Sequence, residues 1–185
     1  LGAPDTTVVL GDGIDSSNQV IPFAMGRRQG KDASFAALFE PYRQSAQIAS
    51  FQTLPVSPTI GSPSAFHIGA AGSFADTLML ADGTLSGERI FADFSTDAAV
   101  AYLRHDANND LQTIVLAEAT KLTDGATSLF TSTIPITLQI AYSDNLVSLT
   151  VPVMSDTQLR FYGIADAGVL VNGIPTPTLR DGHYT

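Results

Sequence analysis

ITLQIAYSDNLVSLTVPV, residues 136–153, is the stretch on which the fold turns. Ile136, Leu138, Ile140 and Tyr142 alternate with Thr137, Gln139 and Ala141. Asp144-Asn145 then breaks the run, and Val147, Leu149, Val151 and Val153 resume it. A period of two is the spacing of side chains on one face of a strand, so each half buries one face and wets the other. Asp and Asn at the break suit a tight turn, which makes the stretch an antiparallel hairpin.

The same grammar runs through the chain. Asp12-Gly13, Asp82-Gly83, Asp124-Gly125, Asn172-Gly173 and Asp181-Gly182 punctuate it with dipeptides that tolerate positive φ. Further strands are expected at 6–10, 20–26, 33–40, 46–52, 65–69, 74–81, 88–94, 98–104, 111–118, 158–163, 168–172 and 176–180. No window of a dozen residues carries a sustained helical stripe; the best helical candidate, Asp97 to Leu103, is short and holds Val100 and Tyr102. This pattern predicts an all-β fold, an antiparallel β-sandwich of many short strands joined by hairpin turns. It is read as one domain over 1–185. The predicted core includes Val8, Phe35, Phe39, Leu78, Leu80, Ile140, Leu149 and Val151. Two strands have no polar side, Ala98 to Leu103 and Ile114 to Ala117. Either a long loop covers them or the sheet packs against another domain.

Composition bounds the function. The 185 residues hold 18 Asp and Glu against 9 Lys and Arg, a net charge of −9. Phosphate binding draws on Lys and Arg, so nucleic acid is not expected as a partner, and neither is an anionic membrane surface. Zero cysteines leave no disulfide framework and no thiolate metal site. No apolar run approaches the roughly 20 residues that span a bilayer. The N-terminus lacks a signal-peptide layout. Because the chain opens on Leu1, it is read as a processed form or a piece of a larger polypeptide.

The chemistry-bearing constellations are few. Asp106-Ala-Asn108-Asn109-Asp110 matches the start of a calcium loop, but Leu111 stands where the turn glycine belongs and Ala117 where the bidentate Glu belongs. A polar hairpin loop is the better reading. His67, His105 and His183 are far apart in sequence, none with a second His or Cys at ligand spacing. His67, mid-strand, is the best placed of them for acid–base work. No G-x-S-x-G elbow occurs, and no metal or other cofactor is expected in this segment.

FAMGRRQGKDASFAALFEPY, residues 23–42, concentrates the cations of an acidic chain. Strands 20–26 and 33–40 read as a hairpin whose turn carries Arg27, Arg28 and Lys31, with Tyr42 and Arg43 beyond the second strand. Guanidinium forks match carboxylate or sulfate, so one reading is contact with an acidic sugar. The other is a solvated turn that pairs with Asp32 or with a neighbouring domain. No catalytic residue is assigned.

APDTTVVLGDG (3–13) followed by IPFAMGRRQGKDASFAALFEPYR (21–43) resembles the C-terminal β-sandwich region of heparinase II/III-like polysaccharide lyases. There a P-D-T segment precedes a strand, a basic R-R-x-G-K turn and a strand ending in E-P-Y. FADTLMLADG (74–83), LQTIVLAEATKL (111–122) and VLVNGIPTPTLRDGHYT (169–185) fit the later hairpins. The resemblance implies a bacterial protein, secreted or periplasmic. It also implies a catalytic α/α-toroid domain on the same polypeptide and β-elimination on a uronic-acid-containing polysaccharide. This chain has no helical toroid, no G-H-x-H-x-D motif and no matching catalytic Tyr and His. The segment alone is therefore expected to be inactive, with Arg27, Arg28, Lys31, Tyr42 and Arg43 as its substrate contacts. A stand-alone carbohydrate-binding module or a structural β-sandwich is the alternative; the absence of Trp weighs against the former, since sugar rings stack on flat aromatic faces.

Overall fold

A computed structural model describes residues 6–14, 19–28, 38, 40, 45–82, 87–143, 145–152, 158–163, 167–176 and 183–184. The chain divides into two compact units, Leu1–Glu40 and Pro41–Thr185.

In the first unit, β1 (Thr6–Ile14) and β2 (Val20–Arg28) form an antiparallel pair, from Thr6 opposite Arg28 to Ile14 opposite Val20. Here the sequence reading needs correction. Arg27 and Arg28 lie within β2, opposite Thr7 and Thr6, and not in a turn. The strand runs past Gly26 because its partner offers β-branched Thr6 and Thr7, which extend the ladder by two pairs. Among the described residues, the strand that pairs with β2 is the preceding one. Of the expected strand 33–40, only Leu38 and Glu40 are described, and neither is in a strand.

The second unit holds β3 (Ile48–Leu54), β4 (Val56–Ser57), β5 (Ser64–Ala70), β6 (Phe74–Leu80) and β7 (Arg89–Phe91). It continues with β8 (Phe94–Thr96), β9 (Val100–Asp106), β10 (Leu111–Asp124), β11 (Thr127–Ser143) and β12 (Leu146–Thr150). β13 (Leu159–Tyr162), β14 (Gly168–Val171), β15 (Ile174–Pro175) and β16 (His183–Tyr184) complete it. All fourteen strands belong to one hydrogen-bonded sheet with the order β15-β14-β12-β11-β10-β9-β6-β5-β3. β4, β7 and β8 branch from β10, and β13 and β16 from β11. Every pairing is antiparallel except the parallel β12–β14. No helix occurs among the described residues, and the fold is all-β as the alternation requires.

The hairpin that opened the reading is β11–β12, with Ser143 opposite Leu146. Ile136, Leu138, Ile140 and Tyr142 are buried while Thr137 and Gln139 are exposed. Val147, Leu149 and Val151 continue the buried row. β10 and β11 are long enough to serve two neighbourhoods. Their near halves pair with β9 and β12, and their far halves with β8 and β13. Irregularities between Leu116 and Lys121 bend β10 between the two, with Glu118 held at φ 57°.

Two core expectations fail on strand phase. Leu78 is half-buried and Leu80 is 42% exposed, while Met79 between them is fully buried. In Leu78-Met79-Leu80 every residue is apolar, so alternation alone does not choose the inward one. Packing does: the register sets Met79 between Ala65 and Ala101, two buried small residues that leave room for a long side chain. Ile140, Leu149 and Val151 are in the core as expected. The side chain of Val8, and Phe35 and Phe39 altogether, lie outside the described residues. The expected strand 88–94 is two strands, β7 and β8, because Ala92 takes φ 49° and turns the chain back on itself.

Candidate functional site

The five cationic and aromatic candidates are not brought together by the described structure. Arg27 and Arg28 have a described backbone only, and Lys31, Tyr42 and Arg43 lie outside the described residues. Four polar centres can be located in the second unit.

The first lies on one face of strands β5, β6, β9 and β10, where the register sets Asp76 of β6 directly opposite Arg104 of β9. Arg104 Nε donates to Asp76 Oδ1 at 2.7 Å and Nη2 to Oδ2 at 2.8 Å, a bidentate pair. The guanidinium also lies 4.2 Å from the Phe74 ring centroid and 5.9 Å from that of Tyr102. Hydrogen bonding to Asp76 raises the guanidinium pKa above its ordinary value, so Arg104 is a fixed cation. Around the pair the face is apolar. Phe66, Leu78, Tyr102 and Val115 align across β5, β6, β9 and β10, and Phe51 stacks on Phe66 at 5.3 Å.

The second centre is Asp97, just before β9. Its Oδ1 accepts from the backbone N–H of Thr120 at 2.9 Å and of Lys121 at 3.0 Å, and its Oδ2 accepts from the Thr120 hydroxyl. These are the groups that the bend in β10 takes out of the ladder, so the carboxylate stands in for a missing strand partner. Burial pushes the Asp97 pKa up, but the hydrogen bonds outweigh it and hold the group below the usual carboxylate value. With the folded value depressed, this stability is present above the unfolded pKa and is lost as pH falls through the folded one. Asp97→Ala is expected to destabilise the chain by about 2 kcal/mol at pH 7. The gap to wild type should narrow in urea titrations run at successively lower pH.

The third centre is exposed: Glu88 takes Lys121 Nζ at 2.6 Å and the Ser95 hydroxyl, which lower its pKa in that order. Its solvent exposure leaves it little energetic weight.

The fourth is an open cleft of about 800 Å³ at one end of the sheet, bordered by His105, Gln112, Asp124, Tyr142 and Tyr162. The acidic loop beside it is the hairpin turn between β9 and β10. Asp106 Oδ1 accepts from the N–H groups of Asn108 and Asp110, and Asn109 sits at φ 68°. That carboxylate caps its own turn, the role expected of a polar loop. His105 is half-buried with the Phe94 ring centroid 6.2 Å away. Burial lowers its pKa, against the opposing pull of Asp124, Asp106 and Asp76. Its imidazole is therefore neutral at pH 7. No group of three or more His, Cys, Asp or Glu among the described residues is arranged to hold a metal ion. No helix among them is long and apolar enough to cross a membrane.

Sequence reasoning did not single out the Asp76–Arg104 pair or the Asp97 clamp. Asp76 stands between Ala75 and Thr77 and Arg104 between Leu103 and His105, so neither strand by itself marks the pair and the register is needed to read it. Asp97 opens the short helical candidate, where an N-cap aspartate would also sit. No protein-family model matches the chain, and no curated protein matches it.

Proposed function

We propose that this chain is the C-terminal β-region of a polysaccharide lyase acting by β-elimination on a uronic-acid-containing polysaccharide. In this reading it is a non-catalytic support for a catalytic α/α-toroid domain carried by the same polypeptide. Besides the resemblance of the sequence, the observation that supports the reading is the face of β9 and β10 that turns away from the core. Inward-facing Ala101, Leu103, Ile114 and Leu116 are fully buried, as a core requires. The opposite row, Val100, Tyr102, Val115 and Ala117, is equally apolar and only half-buried. A sheet that faces water shows polar residues there, whereas one that supports a second domain does not. The located polar groups Asp76, Asp97 and Asp106 serve the strands and turns that carry them.

The test is to incubate the chain alone with alginate, heparin, chondroitin and hyaluronan and to follow the absorbance of unsaturated uronate. No product is expected from the chain alone, and product is expected when it is part of the full polypeptide. Steady turnover by the chain itself would overturn the supporting role. Within the full enzyme, Arg27→Ala with Arg28→Ala is expected to raise KM, more so at low salt, if β2 faces the polyanion. The alternative, a free-standing carbohydrate-binding domain, draws on Phe51, which is 40% exposed over Phe66. Glycan binding that survives without any other domain would select it.

A further inference from the structure

We propose that strand β3 is a pairing edge and that its occupant is β3 of a second copy of this chain, the two strands meeting antiparallel about a two-fold axis. The fourteen-stranded sheet has four terminal strands among the described residues: β3, β4, β15 and β16. Three of them are two residues long, β4 is followed by Pro58 and β15 ends in Pro175. Short edges and edge prolines are how sheets avoid adding a foreign strand. β3 is also followed by a proline, Pro55, but it is not short. It is seven residues long, Ile-Ala-Ser-Phe-Gln-Thr-Leu, with no charge and no proline.

β3 pairs with β5 on one side, and in such a ladder alternate residues turn their N–H and C=O groups to the other side. From Ala49 to Leu54 those outward groups meet no partner among the described residues. Ala49, Phe51, Gln52 and Thr53 are exposed. A row of open donors and acceptors of this length is the template for strand addition.

Charge points to a second copy as the occupant. The chain carries −9, yet neither β3 nor β5 holds a single Asp, Glu, Lys or Arg. Two copies meeting along this seam set no charged residue of β3 or β5 against its twin, which suits the association of two acidic molecules. An antiparallel pair is also self-complementary, so one two-fold axis satisfies both edges and closes the assembly at two.

The experiment is sedimentation equilibrium on the whole chain, with the fold checked by circular dichroism. Wild type is expected at twice 19.4 kDa at micromolar concentration. Gln52→Lys with Thr53→Lys, charges of the kind that natural edges carry, should return it to 19.4 kDa with an unchanged spectrum. Ile174→Lys, on the opposite edge, should leave the dimer intact. Should the double variant not fold, Gln52→Cys in this cysteine-free chain, treated with a short bis-maleimide, provides the second measurement: a covalent dimer is expected. A monomeric wild type, a dimer that survives the edge lysines in a folded variant, or failure of the Gln52→Cys variant to cross-link would each overturn the proposal.

Discussion

Phe130→Ala is expected to destabilise the chain by about 4 kcal/mol, with a fall in Tm on the order of 10 °C. Phe130 is fully buried in the far half of β11, with Leu122 of β10 opposite on one side and Phe161 of β13 on the other. Truncation removes an aromatic ring where both neighbouring strands are held by their own ladders and cannot close the gap. The cost is therefore lost transfer energy plus a persistent cavity. Urea unfolding followed by circular dichroism measures it as a lower midpoint at unchanged slope. Phe130→Leu, which keeps most of the volume, should cost less than half as much. Equal effects of the two variants would show that the site is not packed as described.

The second large effect is an asymmetry. Arg104→Ala is expected to cost about 3 kcal/mol, and Asp76→Ala clearly less. The two side chains share one bidentate pair but not one environment: that of Asp76 is 8% exposed and that of Arg104 is 40% exposed. Removing the guanidinium strands a buried carboxylate with its charge uncompensated. Removing the carboxylate leaves a guanidinium that reaches water and still rests on Phe74. A double-mutant cycle in urea separates the two terms, with the double variant expected closer to Asp76→Ala than to Arg104→Ala. If Asp76→Ala proves the costlier single change, the carboxylate holds the sheet through something other than this pair.

What the sequence made legible is what one strand at a time can say. The β11–β12 hairpin is readable to the residue because Thr137 and Gln139 separate apolar neighbours and because Asp144-Asn145 interrupts them. The class of the fold follows from the same alternation. Where a strand is apolar on both faces, the information runs out. Leu78 and Leu80 are the expected core residues and Met79 is not, because alternation is silent in an all-apolar run and only the pairing with Ala65 and Ala101 decides which side faces inward. Gly26 and Gly30 flank Arg27 and Arg28 and point to a turn, yet the ladder with Thr6 and Thr7 keeps both arginines in β2. The polar centres are hidden for a related reason. Asp76 and Arg104 are 28 residues apart and Asp97 and Thr120 are 23 apart, so each contact exists only once segments distant in sequence have found their register.

The bend in β10 has a consequence for uniqueness. From Ile114 to Ala117 the strand is apolar on every side, and a sheet segment of that kind gains almost as much burial in a register slipped by two residues as in the right one. Hydrophobicity drives such a strand into the sheet without telling it where to stop. The irregularities between Leu116 and Lys121 supply the missing instruction, because a bulge matches its partners at one offset only. Asp97 reads that offset: its carboxylate meets the two freed N–H groups and the Thr120 hydroxyl in the correct alignment, and any slip would leave all of them unmet. One aspartate at the mouth of β9 thus acts as the index mark by which a featureless apolar ribbon is set.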